Sequence, residues 1–536
     1  MSKVNYMALQ NGSDIRGVAI AGVPGEEVNL TDEAIENIVT GFVYLLSNKL
    51  NAQMTDLRVS VGRDSRLSGE HISNIVCKTL QQLGVMTLDT GLASTPAMFM
   101  STKFEHFNCH GAIMVTASHL PKNRNGFKFF SASGGVSKET ISKILKIAQE
   151  RADKDGASSD LYENEMRHRQ GAFTIQPIEH MDLMSHYCEE LRKQISIGLN
   201  KKDAPLKGMK ILVDAGNGVG GFYATRVLKP LGATIDGSLY LEPDGHFPNH
   251  IPNPEKKGAT DDIIAKVKET SADLALVFDT DVDRVAAIDE NGNLIARNAI
   301  IALAASLVYK AYPSSYIVTD SITSPQLTEF LRDKLNLKHY RYKRGYRNVI
   351  DKAIELEAEG KSCPLAIETS GHAAFKENYF LDDGAFLATK IVIEAARLKR
   401  EDKGISSLIS RLREPAESRE IRLPLKSLSS SNHDLLNESE LKENGDMILK
   451  SLKDWAERDG KSYGAKLEKP NYEGVRVNFP KGWLLLRMSL HDPIMPLNIE
   501  STESGGVDEI LGYVKPVLEK FDFLDTSELM CDTGTK

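Results

Sequence analysis

Residues 115–128 read Val115-Thr116-Ala117-Ser118-His119-Leu120-Pro121-Lys122-Asn123-Arg124-Asn125-Gly126-Phe127-Lys128. The run that leads into them, Gly111–Val115, is short and apolar and reads as a buried strand. It stops at a small polar turn that projects one hydroxyl, Ser118, with His119 beside it. A proline, an Asn-Gly pair and a lysine follow. Layered α/β proteins place reactive groups where a strand opens into such a turn, because the sheet holds the turn and the loop leaves the group accessible. A serine next to a histidine can also do nothing more than cap a helix. The surrounding sequence decides which.

Outward from this segment, short apolar runs recur at residues 57–61, 85–88, 210–213, 274–278, 316–319 and 365–367. Most give way to a turn rich in Gly, Ser, Asp or Asn and then to helical spacing, the order expected of α/β layers. A charged, helix-like stretch near residues 181–202 precedes a second such unit. Pro313-Ser314-Ser315 breaks a helix before a third. From about Glu414 the character changes, with strands at 475–479 and 484–487 and a helical stretch at 507–521. The fold class expected is therefore α/β with four domains. Residues 1–202 form an α/β domain carrying the serine turn. Residues 203–308 and 309–413 form two more, and 414–536 a smaller α+β domain.

Bulk properties narrow the function. At 536 residues the chain exceeds one core. Its 66 basic and 74 acidic side chains give a net charge of −8 without a strong basic run, which argues against a nucleic-acid partner. The five cysteines are scattered, with no Cys-x-x-Cys, as expected of reduced thiols in the cytoplasm. Residues 1–14 lack the apolar core of a signal peptide, and the longest apolar stretch, near 299–308, is too short to span a bilayer. No membrane partner is expected. Residues 427–437, rich in Ser and Asn, read as a loop.

Two further segments carry chemistry. Asp279-Thr280-Asp281-Val282-Asp283-Arg284 alternates three carboxylates directly after an apolar run. Such crowded carboxylates repel one another unless a cation neutralises them, and hard oxygen ligands in one loop suit Mg²⁺. An EF-hand is the rival: Glu290 stands at the twelfth position from Asp279, but Arg284 occupies the sixth, where the loop needs glycine, and the flanks read as strands. In Ala366-Ile367-Glu368-Thr369-Ser370-Gly371-His372, a carboxylate and a hydroxyl two residues apart can point from one tight turn at adjacent hydroxyls of a ligand.

These three segments resemble motifs of the α-D-phosphohexomutases, the phosphoglucomutase/phosphomannomutase family. The family's phosphoserine loop, T-A-S-H-x-P followed by N-G-x-K, is matched at Thr116, Ala117, Ser118, His119, Pro121, Asn125, Gly126 and Lys128. Its metal loop, D-x-D-x-D-R, is matched at Asp279, Asp281, Asp283 and Arg284. Its sugar loop, G-E-x-S-G-H, is matched at Glu368, Ser370, Gly371 and His372, with Ile367 in place of the first glycine. Ile15-Arg16-Gly17, Gly62-Arg63-Asp64-Ser65-Arg66, Thr95-Pro96, the proline-rich stretch 245–254 and Gly345-Tyr346-Arg347 add weaker matches along nearly the whole chain.

The resemblance implies four domains around a central cleft. It implies Ser118 as phosphoryl carrier, and Mg²⁺ held by Asp279, Asp281, Asp283 and a phosphate oxygen on Ser118. Arg284, Arg16 and Lys128 would neutralise charge around that phosphate. His119, or Lys128 through the phosphate, would manage the sugar hydroxyl's proton. Glu368 and Ser370 would read the sugar ring, glucose or mannose. Arg347 and Arg487 would hold the distal phosphate, with Ser489 and His491 beside them. The partners implied are small sugar phosphates, with a hexose 1,6-bisphosphate as activator or product. Oligomeric state is not readable.

The last domain departs from the family pattern. The phosphate-clamp loop of the family reads R-x-S-G/N-T-E-P with a second arginine following. Here Arg487, Ser489 and Pro493 fit, but Leu490, His491 and Asp492 replace the Gly or Asn, the Thr and the Glu, and no second arginine follows before Pro496. Glycine's backbone freedom and threonine's hydroxyl are both lost. His491 can stand in as a donor. A reshaped clamp favours escape of the bisphosphate, which makes a glucose-1,6-bisphosphate synthase fed by a donor such as fructose 1,6-bisphosphate the alternative to a mutase. A catalytically silent sugar-phosphate sensor is the third reading. It has no need of Ser118 or of the Asp triad.

Overall fold

The computed structural model describes residues 4–153, 175, 177–426, 438–489 and 493–530. They divide into two compact units, Met1–Tyr312 with Cys363–Ser410, and Pro313–Ser362 with Arg411–Lys536. Segment 309–413 thus contributes to both units. The serine-rich stretch 427–437 lies outside the described residues.

The first unit begins with a mixed sheet. Its strands run in the order Gln10–Asn11, Asp14–Val18, Arg124–Ser131, Gly111–Val115, Arg58–Arg63, Met86–Leu92 and Glu179–His180. The last four are parallel, and the first three add antiparallel to their edge. Every residue of Gly111–Val115 is buried, which explains why its sequence is a continuous apolar run rather than an alternating one. Helix Asp32–Leu50 starts at Thr31, whose hydroxyl accepts the N–H of Ala34, and carries Asp32 and Glu33 in its first turn. Its Ile38 and Phe42 share one buried cluster with Val59, Val61 and Ile113, and the Phe42 ring stacks 4.5 Å from that of Phe129. Each such side chain contributes roughly 1.5–3 kcal/mol on burial.

The second half of the serine motif is strand, not loop. Asn125-Gly126, a turn signal in isolation, sits inside the strand Arg124–Ser131. Gly126 lies opposite Arg16, and a Cβ there would stand 1.9 Å from the carbonyl oxygen of Ile15. The glycine is needed for the close approach of two backbones rather than for a turn.

The second sheet orders Leu294–Ile295, Val285–Ile288, Leu274–Phe278 and Ile211–Asp214. Phe278 pairs with Val285, so residues 279–284 form the tip of an antiparallel hairpin. Strands on both flanks rule out the helix–loop–helix of an EF-hand. Residues 368–372 likewise join two antiparallel strands, Leu365–Ile367 and Ala373–Phe375. Helix Gly384–Lys399 then packs against helix Leu183–Gly198, where the Tyr187 hydroxyl donates to Asp383 Oδ1 at 2.7 Å.

The second unit holds the parallel pair Tyr316–Thr319 and Lys338–Arg341 with helices Pro325–Leu335 and Tyr346–Ala358. It also holds an antiparallel sheet, ordered Glu417–Pro424, Ile494–Ser501, Gly482–Leu486, Val475–Phe479 and Lys466–Leu467, with helices Glu438–Glu457 and Gly506–Leu518 beside it. This is the α+β part of the fold. Its third strand ends at Leu486, so Arg487 opens the following loop rather than closing the strand. Among the described residues no helix is long and apolar enough to cross a membrane.

Gly126→Ala should cost about 1–3 kcal/mol by forcing the two strands apart. Urea denaturation checks this, and an unchanged midpoint would show that the backbones have room to separate.

Candidate active site

Ser118 has φ +48°. That region costs a residue with a Cβ roughly 1–2 kcal/mol, so its surroundings must impose it. Thr116 Oγ1 accepts the Ser118 N–H at 2.9 Å and donates to Asp64 Oδ2 at 2.6 Å. Arg66 does more. Its Nη2 donates to the carbonyls of Ser118 and Leu120, each at 2.5 Å, and its Nη1 to those of Pro121 and Arg124, each at 2.9 Å. One buried guanidinium thus takes the carbonyls of the whole turn. Burial pushes the Asp64 carboxyl up to about 6 against the opposing pull of Arg66. Arg16 reaches the same turn from the neighbouring strand, donating Nη1 to the Thr116 carbonyl and Nη2 to Asp14 at 2.8 Å.

The Ser118 hydroxyl meets the acidic hairpin. Its Oγ lies 3.2 Å from Asp279 Oδ2, 3.2 Å from Arg284 Nη2 and 3.2 Å from His119 Nδ1. Arg284 is 1% exposed. Its Nε donates to Asp279 Oδ2 at 3.0 Å, its backbone N–H to Asp279 Oδ1 at 3.2 Å, and its Nη2 to His119 Nδ1 at 2.7 Å. Burial first, then Arg284, hold His119 down to about 2, so its ring is neutral.

Asp279, Asp281 and Asp283 are wholly buried, and each offers a carboxylate oxygen within 4.8 Å of the others. Burial and the Asp283 charge push Asp279 well above the usual carboxylate range. Asp283 is held below it, despite burial, by Lys128 and His372. Lys128 Nζ donates to Asp283 Oδ2 and lies 3.7 Å from Asp281 Oδ2. Thr95 donates its hydroxyl to Asp281 Oδ2 at 2.5 Å and its N–H to the Asp281 carbonyl at 2.9 Å. Asp281 Oδ1 and Asp283 Oδ1 are buried with no hydrogen-bond donor. Buried carboxylate oxygens without donors are costly, and a small divalent cation with oxygen ligands fits them.

The turn 368–372 approaches the hairpin from the other side. Arg284 and His372 form an isolated antiparallel bridge. His372 Nδ1 stands 2.5 Å from Asp382 Oδ2 and 3.9 Å from Asp283 Oδ1. Burial opposes a charge on this ring, but the Asp382 and Asp283 carboxylates prevail and lift it to about 9. Glu368 is buried, with its N–H on the His372 carbonyl at 2.9 Å, and Ser370 Oγ is buried without a hydrogen-bond partner.

The structure therefore brings Ser118, His119, Lys128, Arg16, Asp279, Asp281, Asp283 and Arg284 together, with Glu368 and Ser370 on the turn that touches Arg284. Arg347, Arg487 and Ser489 belong to the second unit. Arg347 opens helix Tyr346–Ala358 and pairs with Asp351 at 2.6 Å. Arg487 is 6% exposed, and its Nε has no hydrogen-bond partner. The Ser489 N–H closes on the Ile494 carbonyl at 3.0 Å. His491, with Leu490 and Asp492, lies outside the described residues.

Sequence reasoning gave no role to Thr95, Asp382 or His372, and treated the Asp64–Arg66 segment as a turn. Their partners lie 186, 10 and 52 positions away for Thr95–Asp281, His372–Asp382 and Thr116–Asp64. Only the Thr95-Pro96 match and the histidine closing the Glu368 turn hinted at them.

Replacing Arg66 by Met strips the serine turn of these donors and leaves Asp64 without its cation. The expected loss is about 3–5 kcal/mol, read from thermal or urea unfolding. A loss below about 1 kcal/mol would mean that other groups hold the Ser118 turn.

Comparison with known proteins agrees with the geometry. The family models described as phosphoglucomutase/phosphomannomutase alpha/beta/alpha domains I, II and III match residues 7–155, 185–292 and 296–415. A phosphomannomutase/phosphoglucomutase of Pseudomonas syringae pv. tomato is 30% identical over 512 residues, covering 95% of this chain and 94% of the relative. A phosphoglucomutase of Neisseria gonorrhoeae is 27% identical, covering 93% and 95%. The crystal structure of a phosphoglucomutase/phosphomannomutase family protein from Burkholderia thailandensis superposes with a TM-score of 0.73 at 25% identity, covering 96% of this chain and 98% of that one. By the extent of these matches, the chain belongs to the phosphoglucomutase/phosphomannomutase family of enzymes.

Proposed function

We propose that the chain is a Mg²⁺-dependent phosphoserine phosphohexomutase. It interconverts a hexose 1-phosphate and 6-phosphate, of glucose, mannose or both, through a hexose 1,6-bisphosphate. The observation that carries this reading is the Ser118 hydroxyl, held in a left-handed turn 3.2 Å from both Asp279 and Arg284. The names of the relatives, phosphoglucomutase and phosphomannomutase, point to the same substrates. Among the described residues, four free, buried cysteines are consistent with a cytoplasmic enzyme.

Asp279, Asp281 and Asp283 would hold Mg²⁺, which when bound supplies charge neutralisation to the phosphoryl oxygens. The rest falls to the chain's own residues. In one half-reaction a sugar hydroxyl oxygen bonds to phosphorus while the P–Oγ bond of phosphorylated Ser118 breaks, and the hydroxyl proton passes to the departing Oγ by way of a neighbouring base. In the other, Ser118 Oγ bonds to the second phosphoryl group of the bisphosphate while that group's bond to the sugar oxygen breaks, and the Oγ proton passes to the sugar oxygen released. Little covalent assistance is needed beyond position and charge. Arg284 already donates to Oγ, Lys128 and Arg16 add positive charge, and the buried Arg66 keeps the turn rigid. His119 is the imidazole beside Oγ, and a phosphoryl group there would draw its low pKa upward. His372, held cationic by Asp382 on the turn that carries Glu368 and Ser370, adds positive charge beside the hairpin. Glu368 and Ser370 read the ring, and Arg347, Arg487, Ser489 and His491 take the distal phosphate.

Turnover of glucose 1-phosphate, primed with glucose 1,6-bisphosphate, tests this. Ser118→Ala should lower it roughly a thousandfold or more. Asp281→Asn should weaken the Mg²⁺ requirement's apparent affinity more than about tenfold, and chelator should abolish activity. Wild-type turnover by Ser118→Ala, or full activity in excess chelator, contradicts the reading.

The substituted clamp residues Leu490, His491 and Asp492 favour a second reading, release of the bisphosphate as product. Given fructose 1,6-bisphosphate and a glucose monophosphate, a synthase would release free glucose 1,6-bisphosphate in excess of enzyme. The mutase reading expects instead fast 1-phosphate to 6-phosphate conversion on a trace of primer.

A further inference from the structure

We propose that Glu473 is a positioning residue, bridging the Arg344–Arg347 segment to the clamp arginine Arg487 within the second unit. This deepens the reading of Arg347 and Arg487 as phosphate ligands and rests on it.

The turn Tyr472-Glu473-Gly474, before strand Val475–Phe479, is anchored on every side. Glu473 Oε2 accepts the backbone N–H of Arg344 at 3.1 Å and the Ser321 hydroxyl. Arg344 directly precedes Gly345, whose φ of +113° opens helix Tyr346–Ala358. Glycine alone adopts that angle readily, so the peptide ahead of it needs an external anchor if Arg347 is to have a fixed origin. Tyr472 supplies a second hold, its ring stacked 5.6 Å from that of Tyr340 with the two hydroxyls 2.7 Å apart.

Gly474 ties the same turn to the clamp. At φ +56° it lies so close to the next strand that a Cβ would stand 2.1 Å from the Leu486 carbonyl oxygen and 2.8 Å from Arg487 Cβ. Arg476 then fixes the strand behind it. Its Nη1 and Nη2 donate to the carbonyls of Ser321 and Thr323, each at 2.9 Å, and its guanidinium lies 3.6 Å from the Trp483 ring centre. Glu473 and Gly474 are consecutive, so one short turn sets the Arg344 backbone and the Arg487 backbone in the same frame.

Charge points the same way. Burial disfavours the Arg487 cation most. Glu473 is the first group to offset this, while Arg344 adds repulsion.

The test compares Glu473→Ala and Glu473→Gln with the wild type. Affinity for glucose 6-phosphate is measured by calorimetry, with the melting temperature and KM alongside. Affinity needs no turnover, so a wild type that converts no hexose phosphate counts against the proposed function and leaves this comparison intact. Glu473→Ala should weaken glucose 6-phosphate binding about tenfold or more and raise KM with little change in kcat, as loss of a uniform binding interaction does. Glu473→Gln keeps an acceptor for Arg344 and Ser321 but not the charge, and should recover part of that affinity. A Glu473→Ala protein that melts with the wild type and binds within about twofold of it overturns the proposal. Equal losses in the Ala and Gln variants overturn it as well.

Discussion

A buried guanidinium must have its donors matched, and Arg284 meets that demand by drawing separate segments to one point. It takes Asp279 in its own hairpin, Ser118 and His119 on the first sheet's turn, and a backbone bridge to His372 on a third. Asn253 and Glu255 stand at its other end, at 3.5 and 3.7 Å. Removing Asp279 would take the nearest carboxylate from the Arg284 charge in a dry site, where an unpaired ion costs several kcal/mol. The close approach of Gly384 to the Arg284 backbone, where a Cβ would stand 2.7 Å from its carbonyl carbon, shows how little slack remains.

The Asp hairpin supplies the opposite charge in a form that pairing alone does not exhaust. Lys128 and Thr95 each take one oxygen, Arg284 takes Asp279, and the Oδ1 atoms of Asp281 and Asp283 keep no donor. A purely structural ion-pair network would be expected to satisfy its buried acceptors. Acceptors left over, gathered within 4.8 Å and beside a serine hydroxyl, suit a site that a cation and a phosphate complete.

Local signals were legible in the sequence and distant ones were not. The strands Gly111–Val115, Leu274–Phe278, Tyr316–Thr319 and Leu365–Ile367 stand where continuous apolar runs placed them, and the Asp triad needed only its own alternation. Strand Arg124–Ser131 was hidden because Asn125-Gly126 carries turn chemistry, while the real constraint on Gly126 is the Ile15 carbonyl on another strand. Arg66 looked like one arginine among many, since nothing local shows that the four carbonyls it holds belong to residues 118–124. The pairings of Thr95 with Asp281 and of His372 with Asp382 depend on how hairpins and turns meet in space, which no spacing rule encodes.

The proposed chemistry requires Ser118 Oγ to be the atom that carries phosphate. Incubation of the purified protein with glucose 1,6-bisphosphate, followed by intact mass and peptide mapping, tests this most directly. One added phosphoryl group, on Ser118, is the expected result. A phosphoryl group mapped to any other residue, or none under conditions in which the enzyme turns over, would contradict it.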